Sequence, residues 1–90
     1  MVDDPKRGWV GEQHSAGAYA DGTRLFAYRA VRKKLSCPQL SLGLTEVRAA
    51  SKSLAGSVPG VSPEQLSRTR SLSTQVEAEL AREQAGRCRA

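Results

Sequence analysis

The sequence predicts a small all-α fold: a three-helix domain, made of a short basic helix plus an antiparallel helical hairpin, with a loose N-terminal arm. Ninety residues suffice for one domain. Apolar residues recur at spacings of three and four in three separate segments, which is typical of helices that each bury one face. Between the second and third segments, residues 56–61 form a turn rich in Gly, Ser and Pro. Because this turn is short, we predict that the last two helices lie antiparallel.

Residues 1–22 are predicted to be a flexible N-terminal arm, and residues 23–90 a single helical domain. The arm has no helical or alternating periodicity and contains a proline and several glycines: Pro5, Gly8, Gly11, Gly17 and Gly22. Trp9 and Val10 are apolar residues of the arm that can dock on the helices. His14 is expected to be solvated, because a metal or catalytic site needs several converging groups.

The first helix is predicted from Thr23 to Leu35. Asp21-Gly22 forms a turn before it, and the Thr23 hydroxyl is predicted to cap the free amides of the first helical turn. Four apolar side chains at spacings of three, three and four make one face of the helix: Leu25, Tyr28, Val31 and Leu35.

This first helix also carries five basic residues and no acid. Its charge therefore equals the net charge of the chain, +5. A concentrated positive field attracts acidic proteins, nucleic acids or anionic membranes. Phe26 projects among the cations, where its ring can stack on a base. The alternative is that Phe26 packs under the arm and the cations form a solvated face. The candidate interaction residues are Arg24, Phe26, Arg29, Arg32, Lys33 and Lys34.

The second helix is predicted from about Pro38 to Ala55, because a proline ends the helix before it and suits the first position of a new one. Its apolar stripe consists of Leu40, Leu44, Val47 and Leu54. Gly43 costs this helix about 1 kcal/mol relative to alanine, and we predict that it allows close approach of the first helix. Gly56 is predicted to be the left-handed C-terminal cap.

The third helix is predicted from Pro63 to about Ala85, and its start is the clearest local signal in the chain. Ser62-Pro63-Glu64-Gln65 combines a capping serine, a proline at the first helical position, an acid and a capping-box glutamine. The apolar side of this helix consists of Leu66, Leu72, Val76 and Leu80. Glu79 and Glu83 form a like-charged pair at four-residue spacing.

Cys37 precedes the second helix and Cys88 follows the third, so the antiparallel hairpin brings both cysteines to the same end of the domain. We therefore predict a Cys37–Cys88 disulfide, which stabilises a domain with a loop of this length by about 4 kcal/mol. The alternative is a pair of reduced thiols packed as small apolar residues. Zinc is not expected, since two distant cysteines and one histidine match no compact ligand spacing.

The sequence shows no nucleophile, base and acid in a recognisable arrangement and no glycine-rich phosphate loop, so neither an enzyme nor a cofactor is expected. We expect a small non-enzymatic helical protein that binds another protein with an acidic or apolar surface. The alternative is a nucleic-acid-binding module that uses the basic first helix, although the nearly neutral third helix is a poor recognition helix.

No segment has the about 18–20 continuous apolar residues of a membrane span, so a transmembrane segment is not expected. The compartment depends on the cysteines. If Cys37 and Cys88 pair and a signal has been removed, the domain is exported or periplasmic; with free thiols, a cytoplasmic location is expected.

Overall fold

The computed structural model describes residues 6–88, and all regular secondary structure in this range is helical. The four helices are α1 (Ala16–Tyr19), α2 (Thr23–Val31), α3 (Cys37–Ser53) and α4 (Pro63–Arg87). Hydrogen bonds between α3 and α4 join Ser41 to Gln84 and Ser51 to Ser73, so these two helices run antiparallel. α2 packs against α4. The predicted all-α class, with a short basic helix before an antiparallel hairpin, is confirmed.

Two buried apolar clusters hold the helices together, and the predicted stripes supply most of their members. The larger cluster combines Trp9, Val10, the predicted stripe of the first helix and most of the α3 stripe with Val76 and Leu80 of α4. The smaller cluster joins Tyr19 of α1 to the end of α3 and the start of α4, and it consists of Tyr19, Ala50, Leu54, Val58 and Leu66. None of the helices formed by residues 6–88 combines the length and the apolar character that crossing a bilayer requires.

Gly43 lies where the ring of Tyr28 packs on α3. A Cβ atom built at Gly43 would stand 2.8 Å from Tyr28 Cε1, which is too close for two carbon atoms. The absence of a side chain therefore lets the aromatic ring of α2 reach the backbone of α3. The predicted close approach at Gly43 is confirmed.

The segment before α2 differs from the prediction of a loose arm. Trp9 is 7% exposed and Tyr19 is 2% exposed, and α1 itself was not predicted. The Trp9 and Tyr28 rings meet edge to face with centroids 4.9 Å apart, a favourable aromatic arrangement. Residues 6–22 are therefore packed on the helices. Burial of their aromatic and apolar side chains stabilises this segment, although its sequence has no helical periodicity. The rest of the predicted arm, residues 1–5, lies outside the described residues.

The start of α2 is capped differently from the prediction. Its N-cap residue is Gly22, whose φ of 81° lies in the left-handed region that glycine tolerates. The Thr23 backbone amide donates a 2.9 Å hydrogen bond to Asp21 Oδ1, so Asp21, rather than the Thr23 hydroxyl, satisfies one of the free amides of the first turn. α2 ends at Val31, four residues earlier than predicted, yet Leu35 remains buried.

A complete capping box lies at the start of α3 and was not predicted there. Ser36 Oγ accepts from the Gln39 amide at 3.2 Å, and Gln39 Oε1 accepts from the Ser36 amide at 2.9 Å. At α4, Ser62 Oγ accepts from the Gln65 amide as predicted. The Gln65 side chain instead donates to the Ala20 carbonyl at 3.0 Å, so a tertiary contact replaces the second half of that box.

The end of α3 also departs from the prediction. The C-cap residue is Leu54 in the right-handed helical region, and Gly56 is not among the described glycines with positive φ. The Arg70 guanidinium of α4 donates to the carbonyls of Leu54, Ala55 (3.0 Å) and Gly56 (3.2 Å). A charged side chain from the neighbouring helix thus satisfies the carbonyls that a left-handed glycine was predicted to satisfy.

Candidate functional site

The six predicted interaction residues occupy three different environments. Arg24 is buried, Arg29 and Arg32 are half-buried, and the remaining three are exposed: Phe26, Lys33 and Lys34. Arg24 therefore needs a correction, because a side chain that is 7% exposed cannot belong to an open contact face. Its burial follows from its position one turn before Tyr28, on the apolar stripe of α2.

Arg24 forms a bidentate ion pair with Glu46, which is 0% exposed. Arg24 Nε donates to Glu46 Oε2 at 2.7 Å, and the second terminal nitrogen donates to Oε1 at 2.8 Å. The same terminal nitrogen also donates to the carbonyls of Trp9 (2.7 Å) and Glu12 (3.1 Å). One guanidinium thus holds the N-terminal segment against α3, in the planar geometry that favours arginine over lysine.

Two tyrosines complete the hydrogen bonding of Glu46. The Tyr19 hydroxyl donates to Oε2 at 2.9 Å, and the Tyr28 hydroxyl donates to Oε1. The Gly11 amide donates to Oε1 at 3.2 Å and to the Tyr28 hydroxyl oxygen at 2.9 Å. Since Tyr19 and Tyr28 belong to different apolar clusters, Glu46 joins the two halves of the core.

The cluster around Glu46 changes the pKa of its members in directions that follow from burial. Burial and the hydrogen bond to Glu46 raise the pKa of Tyr28 and of Tyr19 above the usual value of 10.0. The hydrogen bond to Glu46 raises the pKa of Arg24. Perturbed groups can mark an active site, but here each polar atom of the carboxylate already has protein partners. The cluster therefore has the form of a structural support.

The cations of α2 face acids of α4. Arg29 Nε lies 3.0 Å from Glu79 Oε1, and Lys33 Nζ lies 3.3 Å from Glu83 Oε1. From the first pair to the second, the residue numbers increase by four in both segments, so α2 and α4 run in the same direction. The sequence did contain this signal: Glu79 and Glu83 have the same four-residue spacing as Arg29 and Lys33.

Glu83 also binds Arg87, at 2.9 Å, and its two cationic partners hold the pKa of the Glu83 carboxyl below its ordinary value. Arg87 in turn donates to the carbonyls of Leu35 and Arg32, both at 3.0 Å. The end of α4 thus supplies counter-charges to α2 and partners to the carbonyls that follow it. Three of the five cations predicted for the first helix, Arg24, Arg29 and Lys33, therefore have acidic partners within the chain.

Phe26 is the one aromatic residue among the six predicted interaction residues, and 55% of its surface is exposed. It borders a groove of about 350 Å³ between the start of α2 and the first turns of α4. Leu72 lies beside Phe26, and both side chains pack close to the backbone of Gly22. A Cβ atom on Gly22 would stand 3.2 Å from Leu72 Cδ2 and 3.4 Å from Phe26 Cε2, so the absence of a side chain there leaves room for this packing.

The groove has a fixed base and charged edges. Thr69 Oγ1 and Gln65 Nε2 both donate to the Ala20 carbonyl, at 2.7 and 3.0 Å, which ties α4 to the loop before α2. Asp21 and Arg68 line the groove from these two sides. They do not pair with each other, and the described residues offer no hydrogen-bond or ion-pair partner to the Arg68 guanidinium.

Cys37 and Cys88 lie at disulfide distance, with Sγ atoms 2.16 Å and Cα atoms 5.7 Å apart. Cys37 is exposed, whereas Cys88 is half-buried against the larger apolar cluster. The predicted meeting of the two cysteines at one end of the hairpin is therefore confirmed. Elsewhere in residues 6–88, no group of three or more His, Cys, Asp or Glu side chains is placed to hold a metal ion.

Comparison with known proteins assigns no family to the chain: no protein-family model, no curated protein and no solved structure matches it. A functional conclusion therefore depends on the geometry of the chain itself, and the open groove beside Phe26 is the candidate functional site.

Proposed function

We propose that the chain is a small non-enzymatic helical protein that acts by binding another protein at the groove beside Phe26. The observation that carries the proposal is the exposure of this one aromatic ring. Phe26 is 55% exposed, whereas Trp9, Tyr19 and Tyr28 are at most 7% exposed. Burying such a ring stabilises by roughly 1.5–3 kcal/mol, and apolar surface beside a groove is typical of protein contact sites.

The lining of the groove indicates the chemistry of the partner. Phe26 and Leu72 offer apolar contact, and the unpaired Arg68 guanidinium at the edge offers donors to a carboxylate. Arg29, which is paired with Glu79, lies 6.0 Å from the centre of the Phe26 ring. The partner is thus a protein surface with a large apolar side chain next to an acidic one.

The alternative of a nucleic-acid-binding module receives less support from the arrangement of the cations. Arg24 is bound to Glu46, Arg29 to Glu79 and Lys33 to Glu83. Arg32 donates to the carbonyl of Arg29, one turn earlier in the same helix. Phosphate binding needs several free cations at once, and most of the predicted ones already have partners in the chain.

Site-specific photo-crosslinking tests the proposal. A benzophenone amino acid in place of Phe26 is expected to give a defined protein adduct in the native host. The matched control carries the same group in place of Leu42, which is 53% exposed, and is expected not to give that adduct. The captured protein, once purified, should bind the unmodified chain, and Phe26→Ala should weaken that binding at least about tenfold.

The proposal fails if position 26 gives no adduct beyond that of position 42, or if Phe26→Ala and Arg68→Glu leave the affinity of the purified pair unchanged. The mass of the adduct also distinguishes a second copy of this chain from a different protein.

The pair formed by Cys37 and Cys88 supports an oxidising compartment for this binding function, such as the periplasm or the extracellular space. Intact mass after thiol alkylation, with and without prior reduction, tests this part of the proposal. Alkylation only after reduction is the expected result. Alkylation of both cysteines in unreduced protein from the native host would place the chain in a reducing compartment.

A further inference from the structure

We infer that the groove beside Phe26 binds the same groove of a second copy of this chain, in a two-fold symmetric dimer. This inference deepens the proposed function, on which it rests, by naming the partner. The required partner surface presents a large apolar side chain next to a carboxylate. The chain itself presents such a surface, since Phe26 and Asp21 line the same groove.

A two-fold interface places one surface patch against an identical one, so every contact occurs twice. Such a patch must contain both members of each contact pair. The groove meets this condition: Asp21 on the loop before α2 lines one side, and Arg68 on α4 lines the other. A two-fold axis through the apolar strip between them brings Asp21 of each copy opposite Arg68 of the other.

The charges of the groove are available for this pairing. Asp21 uses Oδ1 to accept from the Thr23 amide, and the structure gives its other carboxylate oxygen no partner. Arg68 is exposed and has no partner among residues 6–88. Phe26 and Leu72 then lie at the centre, where contact with their counterparts removes an aromatic ring from water.

The patch is small for a protein interface, so the dimer is expected to be weak, with a dissociation constant in the micromolar to millimolar range. Sedimentation equilibrium on the full chain with both cysteines intact is the direct measurement. From about 10 µM to about 1 mM protein, the mass should rise from that of one chain toward that of two. One chain is 9.7 kDa.

Charge reversal makes the test specific. Arg68→Glu places two carboxylates together at each of the two contacts, and Asp21→Lys places two cations together. Each variant alone should dimerise at least about tenfold more weakly than the wild type. An equimolar mixture of the two variants should form a mixed dimer, because each contact then joins opposite charges. Misfolding of either variant cannot produce this recovery.

Phe26→Ala should abolish dimerisation, and Leu42→Ala should leave it unchanged because Leu42 lies outside the groove. A monomer throughout the concentration range overturns the inference. So does a mixture of the charge-reversed variants that associates no better than each variant alone. If the chain is monomeric but position 26 still captures a different protein that requires Phe26, the proposed function holds and only the second copy is excluded.

Discussion

The Glu46 carboxylate accepts hydrogen bonds from four residues that are far apart in the sequence: Gly11, Tyr19, Arg24 and Tyr28. Removing a charged pair from water costs several kcal/mol per ion, and this cost is offset only when geometry and additional hydrogen bonds are complete. Because the network is complete, it specifies how the N-terminal segment sits on α3. The contribution of this network to stability depends on every member being present.

Glu46→Gln is expected to lower the free energy of unfolding by about 3–5 kcal/mol, because it leaves the buried Arg24 guanidinium without a counter-charge. Denaturant titration followed by circular dichroism measures the change. Glu64→Gln is the matched control: Glu64 is exposed at the start of α4, and its replacement should cost at most about 1 kcal/mol. If Glu46→Gln prevents folding, Tyr19→Phe removes one donor to Glu46 together with the acceptor of the His14 amide, and it should cost about 1–3 kcal/mol. Equal effects of Glu46→Gln and Glu64→Gln would contradict this account.

The raised pKa of Tyr28 makes the folded state sensitive to alkali. Folding keeps the proton on a group whose ordinary pKa is 10.0, so the contribution to stability is fully present below pH 10. It is lost as the pH rises from that value toward the higher pKa of the folded state. The denaturant concentration at the unfolding midpoint should therefore decrease progressively as the pH rises above about 10. Tyr28→Phe should lower stability at neutral pH yet flatten this decline; an equally steep decline in the variant would assign it to other groups.

Part of the cluster around Glu46 could be predicted from the spacing of residues along the helices. Arg24 lies four residues before Tyr28, and Glu46 lies three residues after Gly43 and four before Ala50, so both occupy buried stripes. Spacing indicates which side chains point inward. It does not indicate that an inward-pointing acid and base will meet, because that depends on how two helices are placed relative to each other.

Among the helices, α4 stabilises α2 and α3 through side chains that bind the carbonyls at their ends. Arg70 satisfies the carbonyls after α3, and Arg87 satisfies those after α2. The stripes and the approximate spans of α2, α3 and α4 could be predicted, because they follow from local periodicity. The end of α3 could not be predicted from Gly56, because the side chain that satisfies its last carbonyls belongs to Arg70. Arg70 lies sixteen positions after Leu54 in the sequence.

Gly43→Ala and Gly86→Ala are expected to have opposite effects on stability. Alanine favours a helix over glycine by about 1 kcal/mol, but at Gly43 its Cβ meets Tyr28, and the overpacking should give a net loss of about 1–3 kcal/mol. At Gly86 nothing lies within 4 Å of the new Cβ, so a gain of up to about 1 kcal/mol is expected. Thermal or denaturant unfolding measures both. A stabilised Gly43→Ala variant would show that α2 and α3 do not require this contact.

For the molecule as a whole, the cysteine pair adds a covalent link at the end of α4 to the polar contacts there. Leu80 is the last fully buried residue of the helix, and residues 81–88 beyond it make mainly surface contacts. Surface ion pairs such as Lys33–Glu83 contribute at most about 1 kcal/mol each. Without the bond between Cys37 and Cys88, the last turns of α4 would therefore separate more readily from the start of α3.

Replacing both Cys37 and Cys88 with serine is expected to lower the free energy of unfolding by about 4 kcal/mol, given their separation of 51 residues. Hydrogen exchange should rise most in residues 81–88, whereas α3 and the first half of α4 should rise only by the loss of global stability. Reduction of the wild type with dithiothreitol provides the matched comparison. Exchange that rises evenly over the whole chain, or not at all, would contradict a local role for the bond.

Trp9 has a consequence for how this protein can be studied. It is the one tryptophan of the chain, it packs on Tyr28, and the Arg24 guanidinium lies 5.5 Å from its ring. Its fluorescence therefore reports the environment of the N-terminal segment without any label. Buried indole emits at shorter wavelength than hydrated indole, so an emission maximum that moves to the red before helicity is lost would reveal that this segment detaches ahead of global unfolding.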